Sequence, residues 1–147
     1  MLLTADQIAH FHAHGYLIVE NLFTTDEAAR IRAITGSDPD IAERAKFNSN
    51  YDENPLGDTS GIDTRLAYTP TLGDDTYSAV ARSQRLTAPL EQLFGEKVRH
   101  YYHLATLKNP QTGGWQYHQD YGYHYKEFFR PSFCSVMLAL DPATRDN

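Results

Sequence analysis

Apolar and polar residues alternate along this chain with two different periods, and the helical one comes first. Thr4 and Gln7 form a capping-box pair ahead of Ile8 and Phe11, Leu3 stands just before the cap, and Gly15 follows as a stop, so a short helix is predicted. Tyr16, Leu17, Ile18 and Val19 then form a β-rich run, and Thr24 with Glu27 repeats the box ahead of residues 28–34. Helix, strand, helix is the expectation. Over residues 36–70 the period disappears and Asp, Asn, Gly, Ser and Pro collect, which predicts a loop. A connection that long points to a functional loop or lid, and Arg65 and Tyr68 within it are candidates to face a substrate, against the commoner outcome of a solvated Arg.

Asp74 and Asp75 precede Tyr77, Val80 and Ala81 and predict a further helix. Thr87 reads as the cap of the next one, with Pro89 in its first turn, Leu90, Leu93 and Phe94 on one face and Gly95 as its stop. After Lys97 the period changes to two. Val98, His100, Tyr102, Leu104 and Thr106 fall on one face and Arg99, Tyr101, His103, Ala105 and Leu107 on the other, which predicts a strand over residues 97–107. Asn109-Pro110 and Gly113-Gly114 mark a turn into a second strand at 115–120, and Pro131 ends an aromatic loop before a third at 132–140. The fold class expected is α+β, with helices outside the opening strands of an antiparallel barrel.

At 147 residues the chain is one domain by size, with 41% apolar residues to fill a core. Its net charge of −6, without a basic stripe, argues against nucleic acid as a partner. No apolar run reaches membrane-span length and no charged start leads into an apolar signal core, so no membrane partner is expected and the cytoplasm is the expected location. The lone Cys134, flanked by Phe133 and by Val136, Met137 and Leu138, reads as a buried strand thiol. His10, His12 and His14 read as surface residues. Six of the ten Tyr and four of the seven Phe crowd between residues 94 and 133, which fits either a pocket lining or a β-core.

Chemistry concentrates at His118 and Asp120. On a strand these two point the same way and Gln119 points oppositely, which makes a two-pronged metal grip. An imidazole and a carboxylate, completed by a second His, form the facial triad of non-heme Fe(II) oxygenases. His-x-Asp is common by chance, so a structural His–Asp pair is the competing reading, and a zinc hydrolase would use the same donor types with a metal-bound water.

The run from Tyr101 through Lys108-Asn109-Pro110, Gly113-Gly114, Trp115, His118-Gln119-Asp120-Tyr121-Gly122-Tyr123 and Met137-Leu138-Ala139-Leu140-Asp141 to Asp146-Asn147 resembles the phytanoyl-CoA dioxygenase family. The resemblance covers residues 3–147 and is specific from Tyr101 onward. It implies a double-stranded β-helix, the jelly-roll or cupin-like barrel, with residues 1–96 of a single domain as helical and loop scaffold and residues 97–147 as its first strands. It implies Fe(II) and 2-oxoglutarate as cofactors and O2 and a small organic molecule as partners. The reaction implied is hydroxylation of an unactivated C–H bond coupled to decarboxylation of 2-oxoglutarate to succinate.

On this resemblance His118 and Asp120 are the iron ligands, and no further catalytic residue is implied. Lys108 falls at a family position near the cosubstrate, against the commoner outcome of a solvated strand-end Lys, and Trp115, Tyr117, Tyr121, Tyr123 and Tyr125 wall the pocket, with Phe128 and Phe129 in the same loop. Asp120 also favours hydroxylation over halogenation, because related halogenases carry Ala or Gly there. His124 stands where similar sequences commonly have Trp. Family members continue past an Asp-Asn such as Asp146-Asn147 to a distal His ligand and an Arg that holds 2-oxoglutarate. The barrel is therefore expected to be incomplete, open to association through sheet edges, and this stretch alone is expected not to turn over. The alternative is a catalytically incomplete fragment acting as a binding or assembly module.

Overall fold

The computed structural model describes residues 2–47, 65–108, 118–130 and 132–145. Among the described residues every helix but the last begins where a side chain can take the first free N–H groups, which otherwise lack partners. α1 (Ala5–His14) has the full capping box: Thr4 Oγ1 accepts from the Gln7 N–H at 3.2 Å and Gln7 Oε1 from the Thr4 N–H at 2.9 Å. Gly15 ends it in the left-handed region at φ +78°. α2 (Thr25–Ser37) starts on the same device, Thr24 with Glu27, and runs three residues past its expected end at Ile34.

The expected loop over residues 36–70 contains regular structure. Asp38 caps α3 (Pro39–Arg44), accepting from the Asp40 N–H at 2.9 Å, with Pro39 in the first turn, so residues read as turn formers are a helix start. β1 (Lys46–Phe47) pairs antiparallel with β2 (Arg65–Thr69), Lys46 opposite Leu66 and Phe47 opposite Arg65. Residues 48–64 lie outside the described residues. α4 (Thr76–Ala81) is capped by Asp75 as expected. α5 (Gln84–Phe94) starts at Ser83 and not at Thr87, because Ser83 Oγ already accepts from the Arg85 N–H at 3.2 Å. Thr87 Oγ1 instead donates back to the Ser83 carbonyl at 3.3 Å, and Pro89 falls inside the helix.

The strand expectations fare worse. β3 (His103–Leu107) is half the length expected from residues 97–107 and completes an open sheet of order β1-β2-β3. Residues 16–19 form no strand, and Tyr16 and Ile18 are exposed. Residues 118–120 are not strand either: Asp120, at φ −56° and ψ −38°, leads into the single turn α6 (Tyr121–His124), while 115–117 lie outside the described residues. Residues 132–139 are irregular, with Val136 and Met137 exposed and Cys134 only half-buried. A period of two marks faces, and a strand still needs a partner for its N–H and C=O groups. Helix and strand both occur, in agreement with the α+β reading, and the described residues form an open sheet where a barrel was expected.

Two units are distinguishable. In the first, residues 1–33, 70–103 and 140–147, Gln92 of α5 holds the N-terminus: its Oε1 accepts from the Leu3 N–H at 2.7 Å. Leu3, Ile31 and Leu93 are buried there. In the second, residues 34–69 and 104–139, Arg44 of α3 donates to the Tyr68 carbonyl and to Thr69 Oγ1, both at 2.9 Å, and Ile41 and Ala67 are buried. Apolar burial and one buried or half-buried polar tie thus recur in each.

Candidate metal centre

His118 and Asp120 meet by a turn and not by strand alternation. The backbone folds over at this point, with the Gly122 N–H donating to the Gln119 carbonyl at 2.9 Å, and brings His118 Nε2 to 3.1 Å from Asp120 Oδ1. Two donors each ~2.1 Å from a six-coordinate metal and at right angles to one another stand ~3.0 Å apart. The observed 3.1 Å therefore fits adjacent corners of one coordination sphere. Between the two groups an Nε2–H can donate and the carboxylate accept.

The second carboxylate oxygen is also engaged. Ser135 Oγ donates to Asp120 Oδ2, across fifteen residues of sequence. Asp120 occupies the position before α6, where Asp commonly caps, yet it makes no capping bond to that helix. Next to Ser135, burial pushes the Cys134 thiol up from its ordinary value and the Asp120 charge adds to the effect, so it stays a neutral thiol near neutral pH. Among the described residues no group of three or more His, Cys, Asp or Glu side chains converges, so the described centre offers two protein donors.

Around the pair the aromatic residues do different jobs. Tyr121 is half-buried and its hydroxyl donates to the Phe128 carbonyl at 3.1 Å, closing the loop behind α6. His124, Phe128 and Phe133 form a ring cluster with centroids 5.3–6.3 Å apart, and His124 Nδ1 stands 3.7 Å from Glu127 Oε1, which occupies His124 in packing. Tyr125 and Phe129 are exposed. Lys108 follows β3 directly and is exposed. Trp115 and Tyr117, and the side chain of Tyr123, lie outside the described residues.

Two clusters escaped sequence reasoning. His100 and His103, placed on opposite faces of a strand that the backbone does not adopt at His100, meet with Nε2 and Nδ1 3.0 Å apart; burial holds His100 below the ordinary imidazole value. Ser135 carried no local signal. A serine fifteen residues from its carboxylate can be found only once the turn is known.

A convergent His–Asp pair held from behind by a hydroxyl defines a candidate mononuclear metal site on an α+β chain. The phytanoyl-CoA dioxygenase (PhyH) family model matches residues 11–147, and the chain belongs to that family. Ectoine dioxygenase of Bordetella bronchiseptica is 28% identical over 144 residues, covering 92% of this chain and 44% of that protein. The chain thus spans less than half the length of the curated relative it matches. No solved structure matches it.

Proposed function

We propose that this chain carries part of the iron centre of an Fe(II)- and 2-oxoglutarate-dependent dioxygenase that hydroxylates an unactivated C–H bond of a small organic molecule. The observation that supports this reading best is the 3.1 Å approach of His118 Nε2 and Asp120 Oδ1 in a member of the phytanoyl-CoA dioxygenase family. His118 Nε2 and Asp120 Oδ1 would hold the metal. Bound iron would supply the oxidising chemistry, with 2-oxoglutarate and O2 as co-reactants. The chain's own residues would do the holding, each offering one donor atom to the same side of the turn. The aromatic residues between Tyr121 and Phe133 favour a substrate with an apolar portion.

Exposed Phe129 and Met137 favour a second reading, a binding or assembly module whose self-association needs no metal. Anaerobic titration with Fe(II), then 2-oxoglutarate, separates the two. Metal binding that His118→Ala and Asp120→Ala each weaken at least tenfold is the expected result. Metal binding untouched by both substitutions would overturn the iron-centre reading.

A further inference from the structure

We infer that Ser135 is a positioning residue for this centre, holding Asp120 as a one-oxygen ligand. The inference rests on the iron-centre reading and goes beyond it. A carboxylate beside a metal can bind through one oxygen or through both, and a facial triad needs the first, since a second bond would consume a position required by cosubstrate or O2. Asp120 has three possible uses for Oδ2: chelating the metal alongside Oδ1, capping the N–H groups of α6, or accepting from a neighbour. The Ser135 hydroxyl takes the third and so favours Oδ1 as the single ligand atom, while α6 receives no side-chain cap from Asp120. Oδ1 is left turned toward His118 Nε2 at 3.1 Å.

Hydrogen-bonded partners of metal-ligating groups are worth about 10–100-fold in metal affinity. Ser135 also ties two separate stretches together, because it lies in the irregular segment 132–139 and Asp120 at the start of α6. Losing its hydroxyl should therefore free the carboxylate to rotate without disturbing the ring cluster of His124, Phe128 and Phe133.

The test is anaerobic titration of the chain with Co(II), a spectroscopic substitute for Fe(II), read by dissociation constant and by the visible absorption that reports coordination number. Ser135→Ala should raise the dissociation constant at least tenfold or change the Co(II) spectrum. Ser135→Thr, which keeps the hydroxyl, should restore both, and far-ultraviolet circular dichroism checks that each variant is folded. If Ser135→Ala matches wild type in affinity and spectrum while Asp120→Ala abolishes binding, the inference fails and the iron-centre reading stands. Co(II) binding that is indifferent to Asp120→Ala would overturn both.

Discussion

Asp75 and Asp120 each stand one residue before a helix and each have both carboxylate oxygens engaged, yet they are put to opposite uses. Asp75 is extended, at φ −129° and ψ 169°, and spends both oxygens on one residue of its own helix: Oδ1 accepts from the Ser78 N–H at 2.8 Å and Oδ2 from Ser78 Oγ at 2.7 Å. The backbone N–H is the main cause that holds its carboxyl below the ordinary value. Asp120 is helical at φ −56° and ψ −38°, gives nothing to α6, and is held by His118 and Ser135. A carboxylate that caps lowers the energy of its own turn. One held by side chains from elsewhere, at a helix start it does not serve, is aimed at something other than its helix.

The largest stability effect should lie at the Asp75 turn. Ser78 is fully buried; its Oγ donates to Asp75 and accepts from the Gly73 N–H at 2.9 Å. The turn is tight, since a Cβ on Gly73 would come within 2.9 Å of Asp75 Oδ2. Ser78→Ala strands one donor and one acceptor, at a cost of about 1–3 kcal/mol. At this chain length each kcal/mol lowers Tm by roughly 2–4 °C. Thermal unfolding checks it, and Co(II) affinity should not change. An unaltered Tm would mean that Asp75 is no more committed to its turn than Asp120 is to α6.

The same contrast explains what was legible in the sequence. Thr4 with Gln7, Thr24 with Glu27, Asp75 and Gly95 act on groups within four residues, so their helices could be read from spacing alone. Strands depend on neighbours that spacing does not name, and residues 16–19 and 132–139 alternate or cluster apolar groups without acquiring one. At the site, the residue types and the two-residue spacing of His118 and Asp120 were legible. The means of convergence was not, because a turn closed by Gly122 and Gln119 does what a strand was expected to do.

A smaller effect should follow from the helix ends. Gly95 closes α5 at φ +68° with its N–H bonded to the Glu91 carbonyl, and a Cβ there would meet nothing within 4 Å. Gly95→Ala therefore isolates the backbone term, about 1 kcal/mol and a Tm lower by roughly 2–4 °C. Gly122 in α6 is equally open around its Cβ position but has no positive φ, so Gly122→Ala should leave Tm unchanged or slightly raised. Equal losses at the two positions would mean that α6 is under the same backbone constraint as α5.

The smallest expected effect is one of pH, at the start of α2. Glu27 accepts from the Thr24 N–H at 2.8 Å and from Arg85 Nη1 at 2.7 Å, and Arg85 is the larger cause that lowers its carboxyl from 4.5 to about 2. The folded value is depressed, so the stabilisation is fully present above pH 4.5 and is lost as pH falls toward 2. Both side chains are largely exposed, so water and salt screen the pair and its contribution near neutral pH is small. Arg85 also donates to the Leu22 carbonyl at 3.4 Å and lies over the Phe23 ring at 5.3 Å, so Arg85→Met keeps much of the apolar contact while removing the charge. Acid titration of Tm should then show a shallower fall between pH 4.5 and 2 than wild type, and added salt should bring the two curves together. Parallel acid limbs at low salt would place the pH sensitivity of the fold at carboxylates other than Glu27, with Asp75 the next to substitute.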